Sequence, residues 1–133
     1  MAEILLKSKL KAAGVKDIWV KSAGLMAEDG KKISRNSALA LKKKGLTSYS
    51  FRSRRITDKM IRTSAMVICM TEAHKQALEG YSGVYTIKEL TGLSSIPDPY
   101  GMGIEEYTQT MIMLDKACDV LVDKILKAKG ENV

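Results

Sequence analysis

The sequence is poor in several residue types: two prolines, one histidine, two cysteines, one phenylalanine and one tryptophan in 133 residues. Each shortage excludes something. A single histidine, His74, with no Cys, Asp and Glu gathered at ligand spacing, leaves no donor set for a structural metal. Cys69 and Cys118 both lie in apolar periodic stretches, so they read as core thiols rather than a disulfide pair, which points to a reducing compartment, the cytoplasm. No apolar run approaches the ~20 residues of a membrane-crossing helix, and residues 1–13 alternate lysine with leucine instead of forming a signal peptide, so no membrane role is expected. Aromatic residues make up 5% of the chain and none is interleaved among the arginines, which removes the stacking platform that nucleic-acid binding would use. Neither a Gly-x-Gly-x-x-Gly turn nor a Gly-x-x-x-x-Gly-Lys-Ser/Thr loop is present, and no cofactor is implied.

What is present suits one globular domain spanning residues 1–133, with 45% hydrophobic residues and enough length to bury a core without staples. The net charge of +7 favours an anionic partner: phosphate, nucleic acid or acidic protein. Much of the excess lies in Lys42-Lys43-Lys44 and Arg52-Ser53-Arg54-Arg55, runs that also read as solvated faces.

Taken in order, residues 2–13 form an amphipathic helix with Ile4, Leu5, Leu10 and Ala13 inward, no N-cap residue, and Gly14 as its stop. Ile18-Trp19-Val20 predicts a short strand running into the small residues Ser22-Ala23-Gly24. Ser34 caps a helix carrying Ala38, Leu39 and Leu41 inward to Gly45, and Thr57 opens a shorter turn through Met60 and Ile61. Ala65 to Met70 is a near-continuous apolar run, as in a strand buried on both faces. Thr71 caps a helix over 72–79, and residues 84–87 give a third strand. From Ile104 to Lys129 apolar residues recur at spacings of three and four, with Glu105 and Glu106 at the start and lysines at the end, as a helix dipole prefers. The order predicts an α/β fold: a small open parallel sheet with helices on both faces.

The two prolines bracket one acid, in Ile96-Pro97-Asp98-Pro99-Tyr100-Gly101. Each fixes its own φ and holds the preceding residue extended, so Asp98 is aimed by a stiff loop ahead of the last helix, with the Tyr100 ring beside it at a surface mouth. The same pattern also reads as a plain turn. A ligand in an open parallel sheet sits beyond the carboxyl ends of the strands, where this loop would arrive. Cys69, followed by Met70-Thr71-Glu72-Ala73-His74-Lys75, is a poor anion loop: it has no glycine to turn amides inward, Glu72 would repel phosphate, and Lys75 lacks the arginine fork.

Met1-Ala2-Glu3, Ser22-Ala23-Gly24, Arg54-Arg55-Ile56-Thr57, Val67-Ile68-Cys69-Met70 and Asp98-Pro99-Tyr100-Gly101, in that order, resemble a low-molecular-weight protein tyrosine phosphatase over essentially the whole chain. The resemblance implies the phosphotyrosine protein phosphatase I-like fold and hydrolysis of a phosphotyrosine protein or small aryl phosphate through a cysteinyl-phosphate. It implies Asp98 as the general acid protonating the leaving phenolate and Tyr100 as an aromatic wall for the substrate ring. A thiol-dependent arsenate reductase shares the fold.

The family's nucleophile loop is Cys, five residues, Arg and then Ser-Pro, directly before Met-Ala-Glu. Neither that loop nor the first, central strand of the fold is found here. Where many members place a supporting histidine, this chain aligns Phe51. Two readings follow from the resemblance. In one, the chain is the larger part of a longer phosphatase whose upstream residues hold Cys-x5-Arg. In the other, it is a non-catalytic pseudophosphatase module that fills the gap by pairing with another chain, a homo-oligomer included. In both, these 133 residues are expected to be catalytically inactive by themselves.

Overall fold

A computed structural model describes residues 1–131. Its elements follow the α/β order: α1 (Ala2–Ala12), α2 (Arg35–Lys43), α3 (Asp58–Thr63), β1 (Val67–Cys69), α4 (Glu72–Ala77), β2 (Val84–Thr86), α5 (Ile87–Thr91) and α6 (Ile104–Glu131). β1 and β2 pair in parallel, Val67 opposite Val84 and Cys69 opposite Thr86.

Alternation along β1 sorts its side chains between two cores. Ile68 and Met70 face the larger one, built from Leu5 of α1, Ala40 and Leu41 of α2, Ile87 of α5 and the Met111, Leu114, Cys118 and Leu121 stripe of α6. Val67 and Cys69 face the smaller one, with Ile61 of α3, Leu78 and Val84. The sheet is thus covered on both faces, which is why β1 is apolar at consecutive positions rather than alternating. A third cluster, Leu10, Val15 and Val122, seals the end of α1 against α6 and receives Val20.

Several helices begin where their caps predict. Ser34, Thr57 and Thr71 each accept a backbone N–H from the residue three positions on. α1 has no side-chain cap. Some details differ from expectation. Ile87, expected to end a strand, instead opens α5, and Ala13, expected inward, is exposed. Residues 18–20 form no strand: among the described residues the sheet has two strands, and the only pairing nearby is a parallel bridge between Gly24 and Arg55. A strand requires a neighbour, and β1 has one only on its β2 side. In α2, Leu39 stays 39% exposed, while Ala40 and Leu41 turn fully inward, because α6 lies on the Leu41 side.

Ion pairs lock the helices together around Asp115 of α6. Its Oδ1 has no aligned hydrogen bond but lies 2.9 Å from Lys9 Nζ of α1 and 3.0 Å from Lys44 Nζ after α2. Burial pushes the Asp115 carboxyl up, but the two ammonium groups outweigh it and leave it below the ordinary aspartate range. A carboxyl whose folded pKa is depressed contributes stability above its unfolded pKa of about 3.9 and loses it as pH falls through the folded value. Asp115→Asn is therefore expected to lower the urea midpoint at pH 7, and the gap from wild type should close on acidification below about pH 4. A gap that stays constant from pH 7 to pH 3 would show that the pair contributes no charge-dependent stability.

Candidate functional site

The segment that carries Asp98 is tied to the carboxyl end of β1. The Ile96 N–H donates to the Met70 carbonyl at 3.0 Å, and Ile96 and Pro99 are buried, so the backbone either side of Asp98 is pinned to the core. Asp98 itself is exposed. Its Oδ1 accepts the Tyr100 N–H at 3.0 Å, an Asx turn that fixes the carboxylate relative to the chain. The next turn closes by Met102 N–H donating to the Pro99 carbonyl at 2.9 Å. Gly101 has φ +80°, the positive φ that the third position of a type II turn requires. The loop's far side is held from α2, where Asn36 Nδ2 donates to the Met102 carbonyl at 3.2 Å.

The turn sends the Tyr100 side chain into solvent, 83% exposed, with Met102 beside it also exposed. An acid on a braced loop, next to a free aromatic ring at the end of a parallel strand, can donate a proton to a leaving group stacked on that ring. The sequence reading expects Asp98 and Tyr100 at a surface mouth, and both are exposed on this loop. That reading does not find Asn36 or the Ile96–Met70 bond: Asn36 sits 66 positions from its partner, and a backbone pairing leaves no mark in residue identity.

The cysteines are elsewhere. Cys69 is buried in β1, and burial raises its pKa while Lys75 pulls it back only in part. Cys118 is buried in α6, and burial, opposed by Lys9, pushes its thiol up to about 11. Each is followed six residues on by a lysine, Lys75 and Lys124, and neither by an arginine. His74 is half-buried in the first turn of α4, where its backbone N–H donates to the Thr71 hydroxyl.

A second feature behind α1 holds the residues next to the bridge. Glu3, only 7% exposed, accepts the Ser22 N–H at 2.7 Å and the Ser22 hydroxyl at 3.2 Å, with Lys7 Nζ at 3.2 Å. The Gly24 N–H donates to the Arg54 carbonyl, and its own carbonyl accepts from Ile56. A Cβ on Gly24 would meet the Ala27 Cβ at 2.9 Å, so the Ser22-Ala23-Gly24 motif is a close-packing device. No helix among the described residues is long and apolar enough to cross a membrane.

A small parallel sheet between two helical layers, with an acid-bearing loop at its carboxyl edge, defines an α/β domain. The chain belongs to the low molecular weight phosphotyrosine protein phosphatase family, whose model matches residues 1–132. It is 31% identical over 134 residues to a protein-arginine-phosphatase of Bacillus subtilis (strain 168), covering 96% of this chain and 88% of that one. Among solved structures, an arginine phosphatase from Geobacillus stearothermophilus superposes with a TM-score of 0.89 at 29% identity, over 99% of this chain and 87% of the other. A low molecular weight protein tyrosine phosphatase from T. tengcongensis gives 0.85 at 33% identity, over 92% and 88%. The fold expected from the sequence is the fold of these proteins.

Proposed function

We propose that this chain is the acid-bearing part of a protein phosphatase, with Asp98 as the general acid and Tyr100 as the wall against which the substrate side chain lies. The observation that carries the reading is the braced Pro-Asp-Pro loop, which projects Asp98 and Tyr100 together into solvent at the carboxyl end of β1. Transfer of phosphoryl from an ester or amide leaves an anion that needs a proton, and a carboxylic acid held at a cleft mouth supplies one. The substrate class is a phosphorylated protein. Phosphotyrosine follows from the family and phosphoarginine from the names of the relatives, and the exposed Tyr100 ring suits either a phenyl ring or a planar guanidinium.

The thiolate of the family mechanism is not supplied by Cys69 or Cys118, both buried. It would come from a strand and Cys-x5-Arg loop joined to this domain, whose natural place is beside β1 and residues 18–20, where the sheet has no partner strand. In this reading the 133 residues hold the leaving-group half of the chemistry and lack the attacking half. The second reading, a non-catalytic module for an anionic or protein partner, rests on the same buried thiols.

The intact mass of the native protein from its source, set against 14.6 kDa, separates the two readings. A heavier species with Cys-x5-Arg in its extra residues supports the enzyme; a mass matching this chain favours the module. In the heavier species, Asp98→Asn is expected to lower kcat on a phosphotyrosine peptide by about 10²–10⁴-fold. The loss should be much smaller on an aryl phosphate whose leaving group is already a stable anion. Equal losses on both substrates would remove Asp98 from the proton-donor role.

A further inference from the structure

Away from the Asp98 loop and from β1, a concavity of about 350 Å³ opens beside the N-terminal helix, lined by Lys7, Lys16, Lys21 and Arg54 with Ile18, Trp19 and Val20. Its lining holds four cations and no acid. Lys7 is partly neutralised by Glu3 at 3.2 Å, but Lys16, Lys21 and Arg54 have no carboxylate within 4.0 Å among the described residues. Asp17, next to Lys16 in the chain, is occupied by Lys129 at 2.6 Å. Trp19, the only tryptophan of the chain, is 89% exposed here, while its neighbour Val20 packs into the core under α1. A large indole left in water beside unpaired cations is an unfavourable surface for an isolated domain and a favourable one for a contact, since tryptophan and arginine are the residues that anchor interfaces.

We propose that this concavity is a docking site for an acidic peptide segment of a partner protein. Charge complementarity selects the occupant: carboxylates of the segment meet Lys16, Lys21 and Arg54, and an apolar side chain of the same segment covers Trp19. The size favours a few peptide residues over a stacked nucleic-acid strand: the volume is at the small end of ligand clefts, about 300–1,000 Å³, and there is one aromatic ring rather than a series. None of the lining residues belongs to the Asp98 loop, so the site stands or falls apart from the phosphatase reading.

Because Trp19 is the sole tryptophan, its emission reports this site alone. Titrating the 133-residue chain with hexaglutamate at low salt is expected to give a saturable change in Trp19 fluorescence that weakens steeply with ionic strength and is missing with hexaglutamine. Lys16→Glu/Lys21→Glu, both exposed positions, should weaken hexaglutamate by at least about tenfold, with circular dichroism verifying the fold. Lys42→Glu/Lys43→Glu, which removes the same charge from exposed positions on α2, should leave it within about twofold. Equal weakening by the two pairs would overturn the proposal in favour of diffuse attraction to a basic protein. An oligothymidine or inorganic phosphate that evokes the same response more tightly than hexaglutamate would overturn it in favour of a nucleic acid or a simple anion.

Discussion

Incubated with phosphotyrosine or phosphoarginine peptides, the 133-residue chain is expected to gain no phosphoryl group on Cys69 or Cys118 and to release phosphate no faster than its Cys69→Ala/Cys118→Ala variant. Attack on phosphorus needs a thiolate, and the thiolate fraction falls tenfold for each unit by which the thiol pKa exceeds the pH. Burial raises the Cys69 thiol and holds Cys118 at about 11, so at neutral pH both are thiols. Access closes the second route, because both side chains face the cores on either side of β1 rather than the mouth where Asp98 and Tyr100 emerge. Proton donation alone contributes about 10²–10⁴ and only to a leaving group that something has already attacked. Intact-mass spectrometry after acid quenching, with a phosphate-release assay, decides the matter. A phosphorylated cysteine, or turnover abolished in the double variant, would move the nucleophile to one of these residues and end the account of a missing attacking half.

Leu41→Ala is expected to destabilise the domain by about 2–5 kcal/mol, a large share of the roughly 5–15 kcal/mol that holds a domain of this kind together. Leu41 has no exposed surface and sits where α2 meets α6, among Leu5, Leu114 and Cys118. Truncation leaves a void walled by three helices whose positions are also set by the Lys9, Lys44 and Asp115 charges, so little collapse can refill it. Leu39→Ala, two residues earlier and 39% exposed, should cost clearly less, about 1 kcal/mol or below. Urea unfolding with an unchanged m-value measures both. Comparable losses at the two positions would mean that α2 does not present the face described here.

Much of the architecture was legible before any coordinates. Caps at Ser34, Thr57 and Thr71 work because a short hydroxyl next to a helix start can satisfy an N–H three residues on, a local rule that needs no tertiary context. The α6 stripe from Tyr107 to Leu121 was legible for the same reason, since period and burial agree. α5 was missed although its signal is present. Thr86 ends β2 and also caps α5, with Glu89 three residues on completing a capping box, so the strand reading through Ile87 ran past a helix start. The strand at 18–20 failed for the opposite reason: its residue types are right, but pairing is non-local and nothing stands beside it.

By itself the sequence determined the α/β class, the apolar β1, the capped helices and the stiff loop that isolates Asp98, because caps, periodicity and proline geometry act over a few neighbouring residues. Only the tertiary structure decided that this loop hangs from Met70 at the end of β1 and is held by Asn36, that Glu3 is buried to hold Ser22, and that Lys16, Lys21, Arg54 and Trp19 converge on one concavity. Those are contacts between residues tens of positions apart, made by hydrogen bonds and charges whose partners are chosen by packing and leave no period in the chain to read.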